Sequence, residues 1–339
     1  MRSPSTTTRD TYWDTIKALL IFLVVLGHVV QFFMYMSTGS MDFWRSPIFK
    51  GIYIFHMPLF MLISGFFAAK SIAKHGKTAV LRYLQRLALP CIGMGLIFLV
   101  LFLPKGTSVG NIYEGCVNLW FLIVVFECVV FYTIMKWNQA LWYKIVMFVL
   151  PIPFAIFCGS NPYASILFPH TYQFTYLWPF FVLGAFMSYH NFSPQHINKR
   201  WIIFPILYIT AFCLFHPHWY VYRCSLGFNF TSLMVDIFRT LAAIVGCGTI
   251  LWAGKYIHSF IGKYAIIQKI GQATLAIYVL QTLFFIKYEL IAGYLPLLQG
   301  GIETLFLSCI ILSTLYLIYT TTRRIPLVGL LLYGETKQK

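Results

Sequence analysis

The sequence predicts an all-α polytopic membrane protein, with about ten transmembrane helices and both termini in the cytoplasm. The first observation behind this prediction is composition: of 339 residues, 59% are hydrophobic and only 10% are charged. A soluble domain carries about 25% charged residues, so this chain cannot cover itself with a solvated surface. The second observation is the length of the apolar stretches, and the third is the uneven distribution of Lys and Arg between them.

Ten apolar segments approach the length of about 20 residues that a helix needs to cross a bilayer. They are residues 13–36, 48–69, 87–104, 118–135, 143–158, 173–189, 201–216, 229–253, 272–294 and 303–321. The fifth and seventh are short, which is typical of tilted or partly re-entrant segments. Neither a soluble insertion nor a repeat interrupts the pattern, so we expect one domain over residues 1–339.

The positions of Lys and Arg predict the orientation. Eighteen of the 25 basic residues lie in the N-terminus and in every second loop, four lie in the opposite loops, and the other three fall within spans. Cytoplasmic loops carry such an excess, so both termini are predicted to be cytoplasmic. The net charge of +16 is then mainly an orientation signal, with anionic membrane lipids as partners. No basic domain could hold a phosphate backbone, so we exclude nucleic acid as a partner.

The first predicted span carries a stripe of polar residues. At about 100° per residue, Lys17 and His28 differ by three turns plus about 20°, so they share one face roughly 16 Å apart along the axis. Asp14 lies three residues before Lys17, and Gln31 lies three residues after His28. Ionisable groups are costly inside a membrane, so the stripe is a candidate site facing the bundle interior.

The positions of Lys17 and His28 along the stripe suggest different roles for the two residues. Lys17 lies near the cytoplasmic mouth, where a cation can hold an anionic ligand while Asp14 limits its charge cost. We expect Asp14 to lie close enough to this boundary to be hydrated without help. His28 lies deeper, where a neutral imidazole could take a proton from a hydroxyl group. One alternative is that Lys17 snorkels to the interface and that His28 is a hydrogen-bonded core residue. Another is that Lys17 serves to neutralise Asp14 on the same face.

Two further groups lie in and after the second span. His56 precedes Pro58, which should kink the helix, and structural and substrate-binding roles for His56 both stay open. Arg82 and Arg86 are four residues apart on a helix, so their guanidinium groups point the same way and suit phosphate oxygens. They should face the cytoplasm beside Lys17. The alternative is that this pair only sets topology and contacts lipid headgroups.

Other polar residues fall inside the predicted spans. Glu127 has no evident partner in the sequence, so it either pairs across helices or contacts a substrate. Asp236 and Arg239 are spaced to neutralise each other, and Lys287 and Glu289 add charge to the ninth span. The chain contains no metal-ligand cluster, Gly-rich phosphate loop or GxSxG motif, so we expect no bound metal or cofactor.

Five segments, taken together and in order, carry a family resemblance. They are RDTYWDTIKALLIFLVVLGH, FHMPLFMLISGFF, RYLQRLALP, NLWFL at 118–122 and GQATLAIYVLQ. In these segments the chain resembles the integral-membrane acyltransferase family 3, and within it the branch named for fucose 4-O-acetylase. The likeness covers nearly the whole chain.

The resemblance implies a function and a location. Members transfer acetyl or related acyl groups from cytoplasmic acyl-CoA to hydroxyls, commonly on sugars of cell-surface glycans or their lipid-linked precursors. We therefore expect a single acyltransferase domain in the inner membrane of a bacterium, with acetyl-CoA or another acyl-CoA as co-substrate and a sugar or glycan as acceptor. The resemblance does not indicate an oligomeric state.

The resemblance also implies roles for individual residues. His28 corresponds to the family's essential first-helix histidine, and Lys17 stands where many members have Arg. Arg82 and Arg86 match the basic cytoplasmic motif, although four residues apart rather than three, and Gln281 replaces a histidine found in many members. The predicted site is catalytic His28 and Lys17; donor-binding Arg82, Arg86 and Lys17; and acceptor-binding or supporting Asp14, Gln31, His56, Trp120 and Glu127.

A proton-coupled secondary transporter is the alternative from another functional class. Ten spans, intramembrane charges and kinked helices would fit such a carrier. Transporters of this kind are commonly built from two corresponding halves, and Lys17 and His28 have no counterpart later in the chain. The sequence therefore favours an acyltransferase.

Overall fold

A computed structural model describes residues 10–102, 109–220, 230–286 and 301–335, which form helices and connecting turns without a β-strand. This confirms the all-α class. The sixteen α-helices of these ranges are α1 (Thr11–Val29), α2 (Pro47–Tyr53), α3 (His56–His75), α4 (Lys77–Phe102), α5 (Val109–Val117), α6 (Trp120–Met135), α7 (Leu141–Val149), α8 (Pro151–Ser160), α9 (Pro162–Leu167), α10 (Thr171–Tyr189), α11 (Ile203–Leu214), α12 (Phe230–Ile261), α13 (Ala265–Gln272), α14 (Thr274–Ile286), α15 (Gly301–Thr322) and α16 (Pro326–Tyr333).

Six helical segments of the described ranges are long and apolar enough to cross a membrane. They are Thr11–Tyr35, Pro47–His75, Lys77–Leu101, Leu141–Ser160, Phe230–Ile261 and Gly301–Thr322. Two apolar helices, α6 and α14, are shorter, and α11 in the seventh predicted span has only 12 residues. The chain is thus a polytopic membrane protein, while the count of ten spans and the cytoplasmic termini stay predictions. Lys287 and Glu289 lie outside the described residues.

Proline and capping residues explain where the first helices begin and end. The Asp10 carboxylate accepts a hydrogen bond from the Tyr12 backbone N–H at 3.1 Å and so caps α1. Within the helical segment Pro47–His75, the second predicted span is interrupted over residues 54–55, between α2 and α3. Pro58 has no N–H to donate to the carbonyl of Ile54, so a continuous helix would lose a hydrogen bond at this point.

The centre of the bundle is the contact between α3 and α10. A side chain on Gly65 would meet the backbone of Phe181, and one on Gly184 would meet the backbone of Leu62. Two helix backbones can approach this closely only where residues are small, as in other membrane helix pairs. Gly65 and Gly184 therefore serve the packing of α3 against α10.

Glycines also bring the helix ends near the site together. Gly271 allows α13 to contact the backbone of Asp14 on α1, and Gly93 allows α4 to contact Leu331 on α16. Gly334 has a φ of +61° and lies against the backbone of Arg86. The N-terminal ends of α1 and α4 thus meet α13 and the C-terminal segment at one end of the bundle.

Candidate functional site

A cavity of about 700 Å³ lies among α1, α3, α4, α6 and α14; we call it the inner cavity. Its charged lining residues are Asp10, Asp14, Lys17, Lys70 and Arg86. Most of the remaining wall is apolar or aromatic, with Trp13, Phe60, Phe67 and Phe121 among its members. The charged groups lie where α1 and α4 begin, at the end of the bundle that the basic residues predict to be cytoplasmic.

Asp14 and Lys17 form an ion pair in the wall of the inner cavity. The Asp14 carboxylate is 2.8 Å from the Lys17 ammonium and accepts a hydrogen bond from the Gln272 amide at 3.3 Å. Asp14 is only 2% exposed, so the expectation that it is hydrated without help is wrong. The cause is tertiary: α13 packs directly over the backbone of Asp14 through Gly271.

A second cavity, of about 620 Å³, adjoins the inner cavity; we call it the basic cavity. Four arginines line it: Arg82, Arg86, Arg323 and Arg324. The two cavities share Arg86, Gln272 and Leu275 as walls. The structure therefore brings the predicted Arg82–Arg86 pair together with two arginines from the end of α15.

Glu335 supplies the carboxylate in the lining of the basic cavity. Its two oxygens are held separately: Tyr319 donates a hydrogen bond to one at 2.6 Å, and Arg323 lies 3.1 Å from the other. The surplus of arginines over carboxylates makes this cavity suitable for a ligand with several negative charges.

A third cavity, of about 230 Å³, contains His28; we call it the histidine cavity. Gln31, His56 and Trp120 also line it, so four of the predicted site residues meet there. Trp44, Phe49 and Tyr53 complete an aromatic wall. Just after His28, the helix changes to a π-helical segment over Val30–Tyr35, which begins beside Gln31. Such π-helical segments are frequent at functional sites.

The hydrogen bond of His56 defines which of its nitrogens is free. Nδ1 of His56 lies 3.0 Å from the carbonyl oxygen of Ile52. A carbonyl can only accept, so Nδ1 carries the proton, and Nε2 of the neutral ring keeps a lone pair. The ring lines the histidine cavity, so His56 presents a proton acceptor to this part of the site.

His28 has a more apolar setting. Its ring packs against Phe32 and Phe285, at centroid distances of 5.9 and 5.2 Å. Gln281 lies beside it, but neither His28 Nδ1 nor the Gln281 amide forms a well-aligned hydrogen bond with any described residue. Buried polar atoms normally have partners, and of these two side chains only His28 lines the histidine cavity.

The inner cavity and the histidine cavity meet at three residues. Val24, Met57 and Tyr278 line both of them. Since the basic cavity shares walls with the inner cavity, the three cavities form a series. This series connects a cluster of arginines at one end of the bundle with two histidines in its interior.

Comparison with known proteins identifies the family. A model described as an acyltransferase domain, that of acyltransferase family 3, matches residues 10–323. The chain belongs to this family. This membrane acyltransferase is also similar to the nodulation protein NolL of Mesorhizobium japonicum, with 26% identity over 84% of this chain and 79% of the relative. NolL of Sinorhizobium fredii is 53% identical over a shorter stretch, 20% of this chain and 18% of the relative. No solved structure matches the acyltransferase significantly.

Two predicted features lie away from the cavities of this acyltransferase. Glu127 lines none of the three cavities, and its Oε2 atom has no hydrogen-bond partner among the described residues. The structure thus does not place Glu127 where an acceptor would meet His28. Asp236 and Arg239 form the predicted ion pair at 2.9 Å, with Arg239 only 3% exposed, which confirms their mutual neutralisation.

Sequence reasoning missed several residues that the structure brings to the site. The sequence indicates Lys70, Arg323 and Arg324 only as part of the basic excess that predicts orientation, whereas the structure places Lys70 in the inner cavity and both arginines in the basic cavity. Gln272 and Tyr278 lie in the family segment GQATLAIYVLQ, but the sequence does not indicate a role for either residue, because a single amide or hydroxyl in an apolar helix is common. Only the packing of α13 and α14 against α1 shows that both reach the cavities.

Proposed function

We propose that this acyltransferase moves an acetyl or other short acyl group from cytoplasmic acyl-CoA to a hydroxyl of a cell-surface or lipid-linked sugar. One observation carries the proposal: an arginine-lined cavity, a cavity with a largely apolar wall and charged residues at one end, and a cavity with two histidines adjoin in that order. The parts of an acyl-CoA follow the same order, from phosphates through an extended arm to a thioester.

The donor's negative charges match the basic cavity. Arg82 and Arg86, with the two arginines that directly follow α15, would hold the phosphates through charge-assisted hydrogen bonds. The arm would then run through the inner cavity, whose volume of about 700 Å³ falls in the usual range of ligand sites, roughly 300–1,000 Å³. Lys17 lies in that cavity as a nearby positive charge, already shared with Asp14.

The reaction would take place where the inner and histidine cavities meet. The acceptor hydroxyl enters the histidine cavity, and His28 removes its proton as the oxygen attacks the thioester carbonyl. The carbon–sulfur bond then breaks, and the thiolate of CoA leaves towards the inner cavity. In a second route, His28 first accepts the acyl group and then passes it to the hydroxyl. Both routes need the same placement of His28.

The first experiment tests the reaction and the role of His28. Purified protein in lipid vesicles is given labelled acetyl-CoA and lipid-linked sugars, and acylated sugar is detected by mass spectrometry. Wild-type protein should add the mass of an acyl group, and His28→Ala should abolish transfer while the protein stays folded and inserted. His190→Ala is the matched control, because His190 is exposed and lines no cavity described above. Near-normal turnover by His28→Ala, or solute movement without acyl transfer by wild-type protein, would contradict the proposal.

A second experiment tests the donor site. Replacing Arg82 and Arg86 with Gln should raise KM for acyl-CoA more than it lowers kcat, because each lost contact to a charged group costs about 1.5–3 kcal/mol. The difference from wild type should shrink at high salt, where exposed charges are screened. The control replaces Lys199 and Arg200, an exposed basic pair outside the cavities. Unchanged donor affinity with impaired insertion would mean that Arg82 and Arg86 only set topology.

A further inference from the structure

Tyr278 of α14 occupies the boundary between the donor's path and the histidines. Resting on the proposed function, we propose that the Tyr278 hydroxyl donates a hydrogen bond to the thioester carbonyl oxygen and stabilises the negative charge that develops there during transfer. Tyr278 would then be a catalytic residue with a role separate from that of His28.

The position of Tyr278 is the first argument. Of the described residues, only Val24, Met57 and Tyr278 line both the inner cavity and the histidine cavity. Val24 and Met57 offer no hydrogen-bond donor, so the Tyr278 hydroxyl is the donor that the side chains of this boundary provide. A thioester that reaches His28 from the inner cavity must place its carbonyl at this boundary.

The hydrogen bonding of Tyr278 is the second argument. The backbone N–H of Phe121 donates to the Tyr278 hydroxyl oxygen at 3.4 Å. The phenol oxygen is thus an acceptor in this contact, and its own proton is left to donate elsewhere. Within the described ranges, no hydrogen bond uses that proton. The hydroxyl is therefore oriented by the protein and still available to a ligand.

The surroundings of the hydroxyl should make it a better donor. Phe121 is the second residue of α6, so the hydroxyl lies at the positive end of that helix's dipole. A hydroxyl that accepts a hydrogen bond is polarised and donates more strongly in turn. Phe60 and Phe121 line the adjoining wall, and an apolar wall strengthens an electrostatic contact by excluding water.

The Tyr278 hydroxyl stabilises the negative charge on the carbonyl oxygen and does not itself transfer a proton. When the acceptor oxygen bonds to the carbonyl carbon, its proton passes to His28 and the carbonyl electron pair moves onto the carbonyl oxygen. Tyr278 donates a hydrogen bond to that oxygen and keeps its proton. As the carbon–sulfur bond breaks, the electron pair returns to the carbonyl and the CoA thiolate leaves. Direct transfer and transfer through acylated His28 both form this oxyanion, so the inference holds for either route.

The test replaces Tyr278 with Phe, which removes the hydroxyl and leaves the ring to fill the same space. We expect kcat to fall about 10²–10³-fold, the usual loss for one oxyanion donor, with KM for acetyl-CoA within about threefold. The control is Tyr208→Phe: the Tyr208 hydroxyl donates to the backbone of Gly51 at 2.6 Å but lines neither cavity. Its kcat should stay near the wild-type value.

The outcomes separate the two proposals. A kcat within about threefold of wild type in Tyr278→Phe would overturn the oxyanion role and leave the proposed function standing. A lower unfolding temperature with unchanged kcat at temperatures where the protein is folded would also overturn it, since the hydroxyl would then only anchor the start of α6. Absence of acyl transfer by wild-type protein, with lipid-linked sugars and acetyl-CoA both present, would overturn both proposals.

Discussion

Replacing Lys17 with Met should destabilise the protein, and replacing Asp14 with Asn in the same chain should restore most of the loss. The Asp14 carboxylate is 2% exposed and has the Lys17 ammonium at 2.8 Å and the Gln272 amide at 3.3 Å. Without Lys17, the carboxylate would stay in a buried site and lose the ammonium at 2.8 Å. The second change removes the carboxylate charge and preserves an oxygen for Gln272.

The size of the effect follows from the burial of the two partners. Breaking a buried ion pair by removing one partner costs about 3–5 kcal/mol, because the remaining charge is left uncompensated. The Lys17 side chain is 18% exposed and faces the inner cavity, where water can partly screen Asp14. We therefore expect the lower end, about 3 kcal/mol, for Lys17→Met. Asp14→Asn alone should cost less, since Lys17 can then extend into the cavity.

The assay is thermal unfolding of wild type, the two single variants and the double variant in the same detergent. These four measurements form a double-mutant cycle that isolates the coupling between the two side chains. Lys50→Met is the matched control, because the Lys50 ammonium lies over the ring of Phe212 at 4.5 Å rather than beside a buried carboxylate. It should unfold near the wild-type temperature.

Three results distinguish the possible roles of Lys17. If Lys17→Met is as stable and as active as wild type, the lysine only snorkels and the argument from the buried pair is refuted. If stability is unchanged but KM for acetyl-CoA rises, and Lys17→Arg retains activity, Lys17 acts as a positive charge for the donor. A destabilised single variant rescued by Asp14→Asn would support charge neutralisation.

Three further predictions concern packing, donor binding and topology. Gly184→Ala should lower the free energy of unfolding by about 3 kcal/mol, the upper end for overpacking, because its Cβ would meet the backbone of Leu62; the measurement is a lower unfolding temperature. Gly51→Ala is the control, because its Cβ would meet only a phenylalanine ring edge at 3.7 Å, and it should be tolerated. Glu335→Gln should lower KM for acetyl-CoA a few-fold, because it frees Arg323 from its ion pair. The pair is partly exposed, so the ion pair contributes about 1 kcal/mol or less of free energy. A higher KM would instead show that Glu335 positions that arginine. A reporter fused after Lys339 should score cytoplasmic, and a periplasmic result would refute the orientation.

The features that the sequence determined by itself are local ones. The all-α class follows from apolar stretches separated by basic loops, because a helix is the structure that satisfies every backbone group within one membrane segment. The shared face of Lys17 and His28 follows from helical periodicity alone, and Arg82 and Arg86 share a face for the same reason. These relations need no knowledge of which helices are neighbours.

The tertiary structure decided everything that depends on contacts between helices. Asp14 and Glu127 are both carboxylates on apolar helices. Asp14 lines the inner cavity and is buried because α13 packs over it, whereas Glu127 does not line that cavity. Arg86 and Arg323 line one cavity, and His28 and Tyr278 line another, although the members of each pair are more than 200 residues apart in the sequence. Burial and charge pairing are properties of the assembled bundle, because the free-energy cost of burying a charged side chain depends on the neighbours that other helices supply.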